Sequence, residues 1–182
     1  MWDVRDSVFW DYIPDSQELM DKLFECDWQL VQKPYVKNES DIEEIRKELK
    51  RNYWTIRDAF KYYSSISSST GSGTFALTLN SYTDYLKQAG VYQNNLVSLT
   101  DSDTLFYSIS KRDKATPLNP GNSIIRYQFL EIVMKIGLKY SKKKSPGEAI
   151  KEFCEEIIQK SLPQGKGQTF RVERYWNVEW DN

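Results

Sequence analysis

Hydroxyl side chains recur at every second position in one short stretch of the sequence. Thr70, Ser72 and Thr74 are followed, seven residues later, by Ser81. This is the spacing at which a twelve-residue loop places oxygen ligands around a calcium ion, from position 1 to position 12. Residues 64–83, however, contain no Asp or Glu. Because hydroxyl groups cannot replace the carboxylates that hold a divalent cation, we expect no metal ion to bind here.

The residues around this loop predict a helix–loop–helix unit. Apolar residues at helical spacing predict one long helix over residues 39–66, begun by a capping box of Ser40 and Glu43. After the loop, TFALTL has strand propensity, and NSYTDYLKQAG predicts a short helix that ends at Gly90. Helix, loop, short strand and helix follow one another in this order in an EF-hand.

A second unit of the same kind follows. In the first loop, Phe75 occupies position 6, where the turn needs glycine, and Leu77 occupies position 8. In the second, longer loop, Ile124 takes position 8, Gln128 takes position 12, and Asp113 is the one acid between residues 110 and 127. We therefore expect both loops to be inactive toward calcium, with Leu77 and Ile124 opposite each other in a two-stranded ribbon.

The predicted fold is mainly α, with EF-hand-like paired helix–loop–helix units, a short two-stranded β-ribbon and flanking helices. Residues 1–38 are predicted to form an aromatic segment and a helix, capped by Asp15 or Ser16, that packs on the domain. Residues 39–162 form the EF-hand-like domain, and residues 163–182 form a tail or the start of a further helix. The amphipathic pattern at the end is compatible with a piece of a longer protein.

Composition excludes several classes of function. The net charge of −1 offers no general attraction to nucleic acid or membrane, and no apolar run approaches the roughly 20 residues that span a bilayer. The sequence has no histidine, which removes the most frequent general base and metal ligand. Cys26 and Cys154 lie in apolar helical patterns and predict buried thiols rather than a disulfide, which favours a reducing compartment such as the cytoplasm.

The sequence offers three weak candidates for catalysis. STGSGT precedes a strand instead of following one and lacks the Lys-Ser/Thr ending of a phosphate-binding loop. GKGQT, with Lys166, fails in the same way. Glu155 and Glu156 are adjacent in a predicted helix and therefore face apart. We expect no enzyme activity and no cofactor or metal.

Three linked features run through the second half of the chain. The first is a Thr-Asp-x-Asp helix start that precedes an apolar pair. The second is a strand with the pattern apolar–x–x–x–Gln–Phe that leads into a long helix. The third is a Ser-x-x-Glu-Ala cap that begins the last helix. The residues are Thr100, Asp101, Asp103, Ile124, Gln128, Phe129, Ser145, Glu148 and Ala149. Over roughly residues 56–162, this pattern resembles the tubulin-polymerization-promoting protein family. The resemblance implies degenerate EF-hand-like helices and the binding and bundling of microtubules.

The chain departs from that family in two respects. The family's glycine-rich C-terminal tail is absent, and the first loop contains a longer run of Ser and Thr. The stretches FECDWQL and FKYYSS are also similar to EF-hand-like segments in large flagellar and ciliary proteins. These resemblances imply a cytoskeletal location in the cytoplasm, with a cilium or flagellum axoneme as a narrower expectation.

A microtubule partner would need basic residues, because tubulin presents an acidic surface. Three clusters are candidates, although each is also what an ordinary solvated helix face or loop contains. They are Arg46, Lys47, Lys50 and Arg51; Lys111, Arg112 and Lys114; and Lys142, Lys143 and Lys144. The partner would be tubulin or another axonemal protein.

A light-chain-like adaptor that grips an amphipathic helix of a larger protein is the alternative function. Exposed tryptophans at the chain ends would support it: Trp2, Trp10, Trp176 and Trp180. Their simpler interpretation is packing back onto the domain. A further set is predicted to fill the core, or in part to line an open groove: Phe60, Tyr63, Tyr82, Tyr85, Leu105, Phe106, Phe129, Ile132 and Val133.

Overall fold

The fold is mainly helical. The computed structural model describes residues 15–33, 38–67, 76–114, 121–140 and 145–161. In these residues the chain forms α1 (Gln17–Leu30), α2 (Glu39–Arg51), α3 (Tyr53–Ser67), α4 (Leu79–Gln88), α5 (Leu99–Ser110), α6 (Arg126–Tyr140) and α7 (Pro146–Phe153). Helix α7 continues through a π-helical turn (Cys154–Ile158) and a last turn (Gln159–Ser161).

Two of the predicted helix starts are confirmed. The hydroxyl of Ser16 accepts a hydrogen bond from the Leu19 N–H at 3.2 Å and caps α1. Ser145 and Glu148 form a reciprocal capping box at α7, with Pro146 in the first turn. Each side chain satisfies a backbone N–H that has no partner within the helix.

The single long helix predicted over residues 39–66 is wrong. Asn52 leaves helical geometry at φ −98° and ψ 6°, and its side-chain amide donates to the Glu48 carbonyl at 2.9 Å. Asparagine readily ends a helix in this way because its side chain competes for backbone hydrogen bonds. The predicted capping box is also wrong, since α2 begins at Glu39, after Asn38, without a side-chain cap.

The start of α5 differs from the Thr-Asp-x-Asp start that the sequence indicates at Thr100. Helix α5 is capped by Ser98 and not by Thr100, because the Ser98 hydroxyl accepts a hydrogen bond from the Asp101 N–H at 3.1 Å. The end of α4 follows the prediction. Gly90 adopts φ +75°, and the Val91 N–H returns to the Leu86 carbonyl in a Schellman motif that L side chains rarely allow.

One antiparallel bridge joins the two loops. Leu77 and Ile124 exchange two backbone hydrogen bonds, of 2.8 Å and 3.0 Å, as the alignment of the two loops predicted. The described residues contain this one bridge and no extended strand, so the predicted two-stranded β-ribbon is not confirmed. The bridge lies between the α3–α4 and α5–α6 units, and both of its side chains are fully buried.

The predicted aromatic set fills the interior. Its members are buried, except Leu105, which is partly exposed. Phe129 packs against Phe60 and Tyr85, with ring centroids 5.8 Å and 5.0 Å apart, and Tyr82 packs against Phe106 at 5.3 Å. These residues are therefore core, and of the set only Phe60 also lines the groove found among the described residues.

Helix α1 adds a second layer to this interior. Met20, Phe24 and Trp28, at helical spacing, belong to the same hydrophobic core as the two paired units. The two cysteines differ in exposure. Both are free thiols, but Cys26 is exposed on α1, so the prediction that both are buried is wrong for that residue.

Candidate functional site

In the second loop, the side chain of Gln128 makes hydrogen bonds at the place where an EF-hand binds calcium; we call this arrangement the Gln128 clamp. Gln128, at the position of the last calcium ligand, is fully buried. Its carbonyl oxygen accepts the Ile125 N–H at 3.0 Å, while its amide donates to the Ile109 carbonyl at 3.3 Å and to Asp113 at 3.0 Å. One side chain thus joins the end of α5, the loop and the start of α6.

The acid of this loop is also occupied. The Asp113 carboxylate accepts hydrogen bonds from the Tyr127 hydroxyl and the Gln128 amide, and Arg112 Nε lies 3.5 Å away. The hydrogen bond from Tyr127, above all, holds the pKa of Asp113 below its ordinary value, against the opposite effect of burial. Asp113 is therefore ionised at neutral pH and has partners within the protein.

Only the end of the first loop lies within the described residues. Thr70, Ser72, Thr74 and Phe75 lie outside the described residues. Ser81, at position 12, is buried in the first turn of α4, and its N–H donates to the Thr78 hydroxyl at 3.4 Å. This serine therefore takes part in the start of a helix.

Metal and membrane features are not seen in the described part of the chain. Among those residues, no three His, Cys, Asp or Glu side chains come together as a metal site would require. Of the helices given above, none is both long and apolar enough to cross a membrane.

Half of the first basic cluster is committed to ion pairs. Arg46 donates to both oxygens of Glu25 at 2.8 Å and to Glu43 at 2.8 Å, and Lys50 lies 3.0 Å from Glu25. Lys47 is exposed on the same helix, and so is Arg51, whose nearest acid is 3.9 Å away. The exposed cations of α2 that remain available for a partner are therefore fewer than the sequence suggests.

In the second cluster, Arg112 is committed to an ion pair, whereas Lys111 and Lys114 are exposed. Arg112 Nη1 lies 2.9 Å and 2.8 Å from the two oxygens of Glu131, whose side chain is fully buried. The Glu131 carboxylate also accepts a hydrogen bond from the Gln32 N–H at 3.1 Å, and Lys135 Nζ lies 2.7 Å from its other oxygen. Arg112 is thus a structural residue that helps to attach the end of α1 to α6.

The remaining candidates lie on the surface or outside the described residues. Lys111 is exposed and lies 5.0 Å from the ring centroid of Tyr107, and Lys114 is exposed beyond it. Lys142, Lys143 and Lys144 lie outside the described residues, as do the four tryptophans at the chain ends: Trp2, Trp10, Trp176 and Trp180.

A groove opens between α1, α3 and the start of α6. Its volume is about 770 Å³. Apolar side chains from three elements line it, namely Leu30, Phe60 and Ile125, together with Cys26. Leu30 is 59% exposed although it is a large apolar residue. An exposed apolar side chain beside a groove marks a surface that another segment can cover.

Cations and one buried acid surround this groove. Arg57, Lys61 and Arg126 line it together with Asp27. Asp27 is nearly buried and accepts hydrogen bonds from Arg126 at 2.6 Å and 2.9 Å and from the Tyr53 hydroxyl at 2.5 Å. Burial, followed by the hydrogen bond to Asp27, raises the pKa of Tyr53 well above its ordinary value, so its hydroxyl remains a donor.

Sequence reasoning missed this groove. It depends on how α1 crosses α3 and α6, which the pattern of α1 alone does not reveal. One signal was present: Asp27 interrupts the apolar face of α1 between Phe24 and Trp28. An acid in such a place needs a cation or a hydroxyl as a partner, and here it has both the half-buried Arg126 and the buried Tyr53 hydroxyl.

Comparisons with known proteins show no relative. The chain matches no family model, no curated protein and no solved structure. The resemblance to tubulin-polymerization-promoting proteins therefore rests on the residues that carry it.

Proposed function

We propose that this chain is a non-catalytic interaction module built on two degenerate EF-hand-like units that need no calcium. The observation that carries the proposal is the clamp at Gln128. In an EF-hand, position 12 is a glutamate that draws the exiting helix toward the ion. Here the same position joins α5 to α6 by hydrogen bonds within the protein.

The Leu77–Ile124 bridge supports the same proposal. In EF-hand pairs, the residues at position 8 of the two loops bond to each other, and here Leu77 and Ile124 form that pair through two backbone hydrogen bonds. The helices of the two units are already packed around a continuous core. Such a module acts by the surface that it presents and not by a calcium-driven opening.

Microtubules, or another axonemal protein, are the proposed partner, in a cytoplasmic and cytoskeletal setting. The family resemblance supports this choice. The exposed cations Lys47, Arg51, Lys111 and Lys114 would supply the electrostatic attraction to an acidic surface. Arg46, Lys50 and Arg112 contribute less, because acids of the same chain neutralise them.

The light-chain-like adaptor is the second candidate, and the groove favours it. A groove with an apolar floor and a cationic rim is suited to an amphipathic helix that carries acidic residues at its edge. In this function, Leu30 would be a main contact. Neither candidate requires calcium.

Co-sedimentation with taxol-stabilised microtubules in EGTA separates the two functions. If the partner is tubulin, the wild-type chain is expected to pellet with microtubules, and to do so less at higher salt or after protease removal of the acidic tubulin tails. The Lys47→Glu/Arg51→Glu variant should then lose most of its binding. The Leu30→Asp variant should bind as the wild type does.

Two outcomes would contradict the microtubule proposal. One is the absence of co-sedimentation at both low and moderate salt. The other is binding that Leu30→Asp abolishes and the charge reversal leaves intact. Either result would support the adaptor function, with the groove as the docking surface.

A further inference from the structure

The groove between α1, α3 and the start of α6 has the size of a small-ligand site. Its volume is about 770 Å³, and pockets for drug-sized molecules span roughly 300–1,000 Å³. Ten residues line the groove, whereas a stable protein partner covers about 20–30 residues on each side. These dimensions fit a small molecule better than an extensive protein interface.

The groove offers an apolar surface that is open to water. Phe60 is nearly buried beneath it, whereas Leu30 is 59% exposed. Ile125 lines the groove from the start of α6, and the exposed Cys26 lines it from α1. An apolar chain laid in the groove would remove Leu30 from water, which is the main favourable contribution to the binding of apolar ligands.

Two of the three cations that line the groove are committed to acids of the same chain. The Arg126 guanidinium donates to both oxygens of Asp27 at 2.6 Å and 2.9 Å. The Arg57 guanidinium donates to both oxygens of Asp15 at 2.8 Å. Arg57 Nη1 also lies 4.0 Å from Asp58. Neither arginine is therefore the main contact for an anionic ligand.

Lys61 is the cation that remains accessible to a ligand. Its side chain is 56% exposed, and its Nζ lies 3.7 Å from an Asp15 oxygen, beyond the usual range of a hydrogen bond. That oxygen already accepts a hydrogen bond from Arg57 at 2.8 Å. Because an ammonium group has three donors, Lys61 can bind a further acceptor beside the apolar surface.

We propose that this groove binds a small amphipathic carboxylate, with its apolar chain against Leu30, Phe60 and Ile125 and its carboxylate paired with Lys61. A carboxylate accepts strong hydrogen bonds from an ammonium group, and its single charge matches that of Lys61. The site is independent of microtubule binding. It shares the groove with the adaptor function, so a bound carboxylate would exclude a partner helix from Leu30.

Protection of Cys26 from alkylation tests the proposal in the full chain. Cys26 lines the groove, whereas burial raises the pKa of the Cys154 thiol to about 12, which makes Cys154 a slow internal reference. The chain is treated with N-ethylmaleimide in the presence of decanoate, below its micelle concentration, and the label is located by peptide mass spectrometry. At about ten times its dissociation constant, decanoate should slow the reaction of Cys26 about ten-fold, because only the free chain reacts.

A second amphiphile tests the preference for an anion. Decyltrimethylammonium has an alkyl chain of the same length and a positively charged head group. It should protect Cys26 much less than decanoate at the same concentration, because Lys61 repels it. Equal protection by the two compounds would overturn the proposal, since it would show adsorption to apolar surface without a carboxylate site.

Matched variants locate the two parts of the ligand. Lys61→Glu should raise the decanoate concentration needed for half-protection about ten-fold, since it replaces the cation by an acid. Lys47→Glu, at an exposed position of α2, should leave it unchanged. Leu30→Asp should abolish protection, whereas Leu99→Asp, at a leucine that is 55% exposed on α5, should not.

The labelling of Cys154 reports whether each variant is folded. If it rises in Lys61→Glu, the neutral variant Lys61→Gln replaces it and should also show weaker protection by decanoate. Protection that both Lys61 variants leave intact would overturn the proposal. So would a rate at Cys26 that falls as the protein concentration rises without decanoate, which would indicate a second copy as the occupant.

A peptide arm separates this proposal from the adaptor function. A synthetic amphipathic helix of Leu and Glu is added in place of decanoate. If the peptide protects Cys26 and decanoate does not, the small-ligand proposal is wrong and the adaptor function is supported. If decanoate protects Cys26 and the peptide does not, the groove is a small-ligand site and the adaptor function loses its docking surface. Failure of decanoate to protect Cys26 overturns the proposal whatever the peptide does.

Discussion

The Gln128→Glu variant is expected to unfold with a free energy about 3 kcal/mol below that of the wild type at neutral pH, with or without calcium. The substitution restores the residue type that an EF-hand carries at position 12. It also removes the amide that donates to the Ile109 carbonyl and to Asp113, and it places a second carboxylate beside that acid. Urea unfolding followed by circular dichroism measures the change.

The pH dependence of this loss identifies its cause. Burial and the neighbouring Asp113 raise the pKa of the introduced carboxyl group above its unfolded value of about 4.3. The deficit relative to wild type should therefore be small near pH 4 and grow as the pH rises above that value. Gln93→Glu, at an exposed loop position, is the matched control and should change stability by less than about 0.5 kcal/mol. Stabilisation of the Gln128→Glu variant by millimolar calcium would contradict the prediction.

The Asp27→Ala variant is expected to lose about 3 kcal/mol of unfolding free energy. The Asp27 side chain is 5% exposed and is the shared partner of Arg126 and the buried Tyr53 hydroxyl. Without it, the hydroxyl is left in the core with no acceptor, and α1 loses its ionic attachment to α6. Thermal or urea unfolding of the purified variant measures this loss.

Two further variants separate the contributions. Tyr53→Phe keeps the ion pair and should cost about 1 kcal/mol. Asp21→Ala removes an acid from the same helix whose carboxylate accepts a hydrogen bond from Gln17, and should cost less than about 0.5 kcal/mol. An Asp27→Ala variant as stable as Asp21→Ala would show that α1 is held by apolar packing alone.

Local sequence signals predicted the parts of the fold that depend on short-range chemistry. The cap at Ser16, the capping box at Ser145 and the turn at Gly90 each involve a side chain or a backbone angle within a few residues. The Leu77–Ile124 pair was predictable because aligning the two loops places both residues at the same position. Such features need no knowledge of the tertiary arrangement.

Features that depend on tertiary contacts were missed or misjudged. The periodicity of residues 39–66 continues through Asn52, because α2 and α3 both bury apolar faces although the chain turns between them. Arg46 and Arg112 looked available for a partner because their acids, Glu25 and Glu131, are distant in sequence. The groove follows from the crossing of three helices and has no periodic signature.

The account depends most on the claim that the two units are closed without an ion. Amide hydrogen exchange at Leu77 and Ile124, measured by NMR in EGTA and in millimolar calcium, tests it directly, because each N–H donates across the bridge. We expect both amides to be protected in EGTA and their exchange rates to stay the same when calcium is added. Rapid exchange in EGTA that calcium suppresses would contradict the claim and show that these loops still function as calcium sites.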